Sequence, residues 1–204
     1  MSLFNVPIAE EDGLILGRAA RLFIDEEDAA ARAELTKLSP VDPVLPPKFV
    51  SSAGISVPDV KRPNVTPSIL TPVLQRDHWC CRYCGRRLVI AGVLEILGVL
   101  APLEFPFPRG HHLPAAHTHP AARRTYPEVD HVHAGSTGGH WTDATNLVAA
   151  CVPCNERKGD RGGWIVQPSV HEAWTGLIEC YRPLVLRVGV ERAYHRNWFR
   201  ALDL

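Results

Sequence analysis

Two Cys-x-x-Cys pairs constrain this chain more than any other feature. Cys81-Arg82-Tyr83-Cys84-Gly85 and Cys151-Val152-Pro153-Cys154-Asn155 are separated by 66 residues. Each pair is a turn that aims two thiolates at one point, and two such turns complete a tetrahedral site. Cys81, Cys84, Cys151 and Cys154 are therefore expected to hold a structural Zn²⁺ and to staple two distant segments together. Gly85 suits the left-handed conformation such a turn needs. A redox Cys-x-x-Cys would sit in a βαβ setting, which the sequence does not offer. Cys80 could stand in for Cys81, but only Cys81 leaves the two-residue gap, so Cys80 and Cys180 remain as spare thiols.

Composition narrows the class. The chain has 204 residues, a hydrophobic fraction of 46% and no net charge, which is ordinary for a globular protein. Its start, Met1 to Gly13, lacks a basic and an apolar leader region, so no signal peptide is expected and a cytoplasmic location is. Six cysteines in that reducing setting read as metal ligands or buried thiols rather than disulfides. Leu88 to Pro102 is the longest apolar run, interrupted by Gly92, Glu95 and Gly98. It is too short to span a bilayer and reads as buried core, without membrane association. The first 75 residues carry an acidic excess and the remainder an equal basic one. That is a weak footprint for nucleic acid, so any such contact should be local.

Four regions follow from the pattern. Residues 1–38 read as a helical extension with Leu14, Leu16, Ala19, Leu22, Phe23, Ala30, Ala33 and Leu35 as its buried stripe. Residues 39–72 hold eight prolines and read as a surface linker. Residues 73–163 form the core, with a short helix over Thr71–Asp77 that places Pro72 in its first turn, and with an insertion at 88–127. Inside that insertion, Phe105 to Pro127 is rich in Pro and His (His111, His112, His117, His119) and reads as a loop. Residues 164–204 read as a second helical extension. There Trp174, Leu177 and Ile178 make one stripe, while Leu184, Leu186, Val188, Val190, Tyr194, Trp198, Phe199 and Leu202 make another. Arg182, Arg187, Arg192, Arg196 and Arg200 interleave with the second. Arginines so placed are commonly solvated, a phosphate-binding face being the alternative.

Between the pairs lie Glu128-Val129-Asp130-His131, Ser136-Thr137-Gly138-Gly139 and Asn146-Leu147, and the second pair continues into Asn155-Glu156-Arg157-Lys158-Gly159. With Arg76-Asp77-His78-Trp79-Cys80 ahead of the first pair, this ordered set over roughly residues 76–160 resembles the HNH endonuclease family. The resemblance implies a small zinc-stapled ββα-metal core, which together with the helical N- and C-terminal extensions and Pro-rich loops read from the pattern makes an α+β fold. It also implies cleavage of DNA, most readily double-stranded, to a 3′-hydroxyl and a 5′-phosphate, with Asn146 orienting His131 from across the loop.

The residue chemistry agrees with that expectation. Phosphodiester hydrolysis needs an activated water, a base and a cation to stabilise developing charge. His131 suits the base. Asp130 and Asn155 offer hard oxygen ligands for Mg²⁺ or Mn²⁺. Neighbours on a strand face opposite ways, so Asp130 and His131 can share one site only if the strand ends there, which the Gly135–Gly139 loop allows. Asn155 and Lys158, three apart on a short helix ended by Gly159, share a face. Lys158 is expected to reach a phosphate, with Arg157 and Arg161 as further nucleic-acid contacts. Alternatives are a non-catalytic zinc module that binds nucleic acid or protein, and a nuclease subunit of a restriction or defence assembly. A protein partner or self-association through the helical extensions would suit the latter.

Overall fold

The computed structural model describes residues 11–41, 66–108, 115–169, 171, 173–189 and 193–204. Most of the Pro-rich linker (42–65), His111, His112, Val190 and Arg192 lie outside the described residues. Helices α1 (Asp12–Ile24) and α2 (Asp28–Leu35) form a hairpin. They bury Ile15, Leu16, Ala19, Ala20, Phe23, Ala31 and Leu35, whereas Leu14, Ala30 and Ala33 of the expected stripe are exposed. The difference has a local cause. The chain turns at Asp25–Glu27, where Glu26 takes φ +63°, so the second helix starts a new phase that one continuous period cannot describe.

Helix α3 (Pro67–Arg76) begins earlier than expected, inside the stretch read as linker. Pro67 opens it and Pro72 lies in its interior. An interior proline is normally disfavoured by about 3 kcal/mol, and here burial of Val73 and Leu74 offsets it. Helix α4 (Ala91–Leu100) is the apolar run, buried along most of its length. Helix α5 (Pro120–Thr125) occupies part of the stretch read as loop, because Pro120 is suited to its first turn and the His119 ring accepts from the Ala121 amide at 3.2 Å.

Strands β1 (Pro127–His131) and β2 (Leu147–Cys151) pair antiparallel, Pro127 opposite Cys151 and His131 opposite Leu147. Helix α6 (Val152–Lys158) leaves β2 without a linker. Helices α7 (Ile178–Val188) and α8 (Ala193–Leu202) close the chain. Of the stretch expected to start helical, residues 164–169, 171 and 173–177 are without regular secondary structure. They are held by Gln167 N–H to the Arg82 carbonyl at 2.6 Å and the Trp174 indole to the Leu88 carbonyl at 2.7 Å. No helix among the described residues is long and apolar enough to cross a membrane.

One hydrophobic cluster runs through all these elements, from Phe23 through Leu94 and Ala149 to Tyr181 and Trp198. Much of the acidic excess of the N-terminal helices is used internally. Asp12 pairs with Arg124 at 2.7 Å, Glu34 with Arg18 at 2.6 Å, Glu11 with Arg87 and Asp28 with Arg187.

Asp77, fully buried, joins α3, the first cysteine turn and β2. Its carboxylate accepts from Arg82 at 2.6 Å, from Arg76 at 2.9 and 3.0 Å, and from the Ala149 amide at 2.8 Å. Arg76 goes on to the Leu147 carbonyl at 2.6 Å. Asp77→Ala would strand a buried amide and two guanidinium partners. It is expected to lower unfolding free energy by about 2–4 kcal/mol, somewhat below the deeply buried case because both arginines reach water. Urea denaturation checks this, and a midpoint equal to wild type would contradict the anchoring role.

Candidate functional site

The sulfur atoms of Cys81, Cys84, Cys151 and Cys154 all lie within 4.8 Å of one another, and those of Cys84 and Cys151 are 3.8 Å apart. Four thiolates at the usual Zn–S length of about 2.3 Å are separated by about 3.8 Å along each tetrahedral edge, so this donor set fits Zn²⁺ in type, number and size. The local sequence explains the geometry. Gly85 takes φ +75° and donates to the Cys81 carbonyl at 2.8 Å, folding the first turn, while the Cys81 amide donates to the Arg86 carbonyl at 2.8 Å. The Arg82 amide donates to Ala149 of β2 at 2.8 Å, docking that turn beside the second pair. Cys80, by contrast, donates to the His78 carbonyl at 3.2 Å and stays a buried spare, as does Cys180.

The thiols are electrostatically interdependent. Burial alone would raise Cys81, but hydrogen bonds from Cys151, Cys154 and Cys84 outweigh it and hold Cys81 well below an ordinary thiol. Those same neighbours, Cys154 and Cys81 foremost, hold Cys151 well above it. One thiolate is supported by its neighbours, and further ionisation calls for a cation between them.

Next to the cluster, α6 is fastened to β1. Lys158 is 1% exposed, and its ammonium donates to the His131 carbonyl at 2.6 Å and stands 3.0 Å from Asp130 Oδ2. The Tyr83 hydroxyl donates to that same Oδ2 at 2.6 Å. Both donors thus converge on one oxygen of a nearly buried carboxylate, and no hydrogen bond reaches Oδ1 among the described residues. Two residues back on the same face of β1, Glu128 Oε2 accepts from the Asn155 side-chain amide at 2.7 Å, which leaves the Asn155 carbonyl oxygen turned to other use. Burial raises the Glu128 carboxyl above its ordinary value, against the lowering by Asn155. Burial and the Asp130 carboxylate likewise push the Tyr83 phenol up, which keeps it a donor.

His131 is the last residue of β1, as expected of a strand that ends to let neighbouring side chains serve one site. Its Nε2 lies 2.9 Å from the Trp141 carbonyl, and the two rings meet edge to face at 5.1 Å. A carbonyl only accepts, so Nε2 carries the hydrogen, and the neutral ring has its lone pair on Nδ1. Gly135 makes room for this contact, since a Cβ there would lie 2.4 Å from the Trp141 ring.

Asn146 does bond across the loop. Its Oδ1 accepts from the His133 amide at 2.8 Å, and its side-chain amide donates to the His133 and His140 carbonyls, each at 2.9 Å. No bond from Asn146 to the His131 ring is present among the described residues. The ring's partner comes from Trp141, which directly follows the His140 that Asn146 holds.

The sequence-derived residues are therefore brought together in part. Asp130, His131 and Lys158 touch through side chains or backbone, Asn155 joins through Glu128, and Asn146 braces the loop. Lys158 faces inward, not outward toward a phosphate. Arg161 is exposed and donates to the Arg157 carbonyl one turn away. Tyr83 and Trp141 went unnoticed as site residues. Tyr83 lay between two metal ligands and invited no second role, and Trp141 contributes a backbone carbonyl, which no side-chain pattern can signal.

Residues 118–161 match the family model described as HNH endonuclease. The matched stretch spans α5, β1, the glycine loop, β2 and α6, and Cys81 and Cys84 lie outside it. Comparison with curated proteins and with solved structures found no match.

The sulfur cluster yields a direct expectation: the purified protein contains one zinc per chain, and Cys151→Ser loses it. Because binding free energy at such sites is folding free energy, a strong chelator should also abolish slow amide exchange at Ala149 and Ala150. Full protection in zinc-free protein would contradict a stapling role.

Proposed function

We propose that this chain is a metal-dependent endonuclease hydrolysing phosphodiester bonds of DNA, most readily double-stranded, with residues 73–163 as the chemical unit and the flanking helices as its scaffold. The observation that carries the proposal is the His131 ring at the strand end beside Asp130, held by the Trp141 carbonyl, with no partner on Nδ1 among the described residues. In a segment of the HNH family this is a base waiting for a proton.

In the proposed reaction a water molecule gives a proton to His131 Nδ1. Its oxygen bonds to phosphorus while the P–O3′ bond breaks, and the leaving oxygen takes a proton from solvent to give a 3′-hydroxyl opposite a 5′-phosphate. The Trp141 carbonyl keeps Nε2–H in place and favours the imidazolium that forms. Asp130 Oδ1 and the Asn155 carbonyl oxygen fit Mg²⁺ or Mn²⁺ in donor type, and such an ion would stabilise charge on the phosphoryl and leaving oxygens. Tyr83 and Lys158 hold Asp130 from behind through Oδ2. Lys158 thereby acts as a positioning residue, while Arg157 in the last turn of α6 and Arg161 just beyond it provide phosphate contacts.

Two measurements test this. Plasmid incubated with Mg²⁺ or Mn²⁺ should be cut by wild type, and His131→Ala should slow the reaction on the order of 10²–10⁴-fold. Equal nicking by both would leave a non-catalytic zinc module that binds nucleic acid or protein. Tyr83→Phe should retain zinc yet require several-fold more Mg²⁺ for half-maximal rate, since Asp130 loses one of its two braces. An unchanged Mg²⁺ requirement would remove Tyr83 from the site.

A further inference from the structure

Helices α7 and α8 enclose a cleft of about 510 Å³ that the nuclease site does not use. Three of its lining residues are arginines, Arg182 from α7 and Arg196 and Arg200 from α8, and its walls include Val185, Leu186 and Phe199. All three arginines are exposed, and Leu186 is 72% exposed. Arg187 shows what an arginine on these helices does when the fold employs it: it bonds the Phe23 carbonyl and pairs with Asp28. Arg182 and Arg200 have no ion pair among the described residues, and Glu179 of α7 faces Arg21 and Thr175 instead.

The arrangement is unusual for a chain with no net charge. Arg182 of α7 and Arg200 of α8 bring two guanidiniums to one cleft from two different helices, neither with an ion pair among the described residues. An anion with several charges in a row would meet both. The apolar walls narrow the choice further, because flat or aliphatic groups must lie between the charges. A duplex turns its phosphates outward and keeps its bases stacked within, so it offers little to a concave apolar wall. A single strand offers both, with phosphates for guanidiniums and unstacked bases for Phe199 and Leu186. The volume is that of a cleft taking a ligand-sized portion of a chain.

We propose that the α7–α8 cleft binds a single-stranded stretch of nucleic acid, giving the protein a strand-holding site separate from its hydrolytic one. This deepens the nuclease reading and rests on it for the class of polymer. Placement supports a shared substrate: α8 packs on α3, and α3 packs on both strands of the sheet that carries His131. A rigid path of two helix layers therefore joins the cleft to the proposed point of cleavage.

The test uses the full chain carrying His131→Ala, with divalent ions withheld, and a fluorescein-labelled oligodeoxynucleotide of about 20 nucleotides, single-stranded or annealed. Fluorescence anisotropy over a salt series should show binding of the single strand. Arg182→Gln with Arg200→Gln should weaken it on the order of tenfold at about 0.1 M salt and flatten the salt slope by about 1.4, two single-strand phosphate contacts being lost. Leu186→Ser should weaken binding without changing the slope. Equal affinity and slope in the double variant, with wild-type thermal stability, would overturn the proposal. So would a double variant that loses as much affinity for the duplex as for the single strand, or preferential binding of poly-glutamate, which would make the cleft an acidic-protein surface. Arginine-dependent binding by a wild type that cuts nothing would sink the hydrolytic reading and leave the cleft standing.

Discussion

The four-sulfur cluster is the constraint on which the rest of this structure depends. Two strands of five residues cannot hold themselves together in water, and a seven-residue helix is far below the length that is stable alone. Here β2 and α6 are continuous, the first cysteine turn hangs on β2 through the Arg82 amide, and the thiols of both turns face one another. A cation among them would convert three marginal pieces into one rigid body. The thiol interdependence points the same way, since hydrogen bonds from its neighbours hold Cys81 well below an ordinary thiol while Cys151 is held well above one.

Rigidity at the sulfur cluster reaches the proposed chemistry through short polar links rather than through apolar packing. Tyr83, between two zinc-binding thiols, braces Asp130 from one side, while Lys158, four residues past Cys154, braces it from another and also holds the His131 carbonyl. A buried lysine–carboxylate pair is weak as a source of stability, because desolvation offsets much of the attraction. Its value here is positional: both donors fall on Oδ2, so the other oxygen has a defined direction. The loop obeys the same logic, with Asn146 binding both of its limbs and Trp141 supplying the carbonyl that sets the imidazole tautomer.

Much of this was legible in the sequence where side-chain identity and spacing carry the information. The cysteine pairs, the strand ending at His131, the return at Leu147 and the short helix ending at Gly159 follow from turn chemistry and metal-ligand spacing, and the structure has them. The family match over residues 118–161 agrees with the central part of the resemblance. What escaped depended on partners far along the chain or on backbone atoms. The inward turn of Lys158 needed knowledge that Asp130 and the His131 carbonyl would meet it. The phase of α2 needed the turn at Glu26, and α3 began among prolines that propensity alone would exclude from a helix interior. Asp77 appeared as one polar residue in a motif, yet three segments converge on its buried carboxylate.

The central claim is that the sulfur-bound zinc positions the oxygen ligands of a second, catalytic ion. It is tested most directly by titrating Mn²⁺ into zinc-loaded protein, into protein stripped of zinc, and into the stripped protein after zinc is restored, with free Mn²⁺ followed by electron paramagnetic resonance. Mn²⁺ binding that disappears with the zinc, returns with it, and is absent from Asp130→Ala throughout is the predicted result. Undiminished Mn²⁺ binding by the zinc-free chain would show that the two sites are independent and would contradict it.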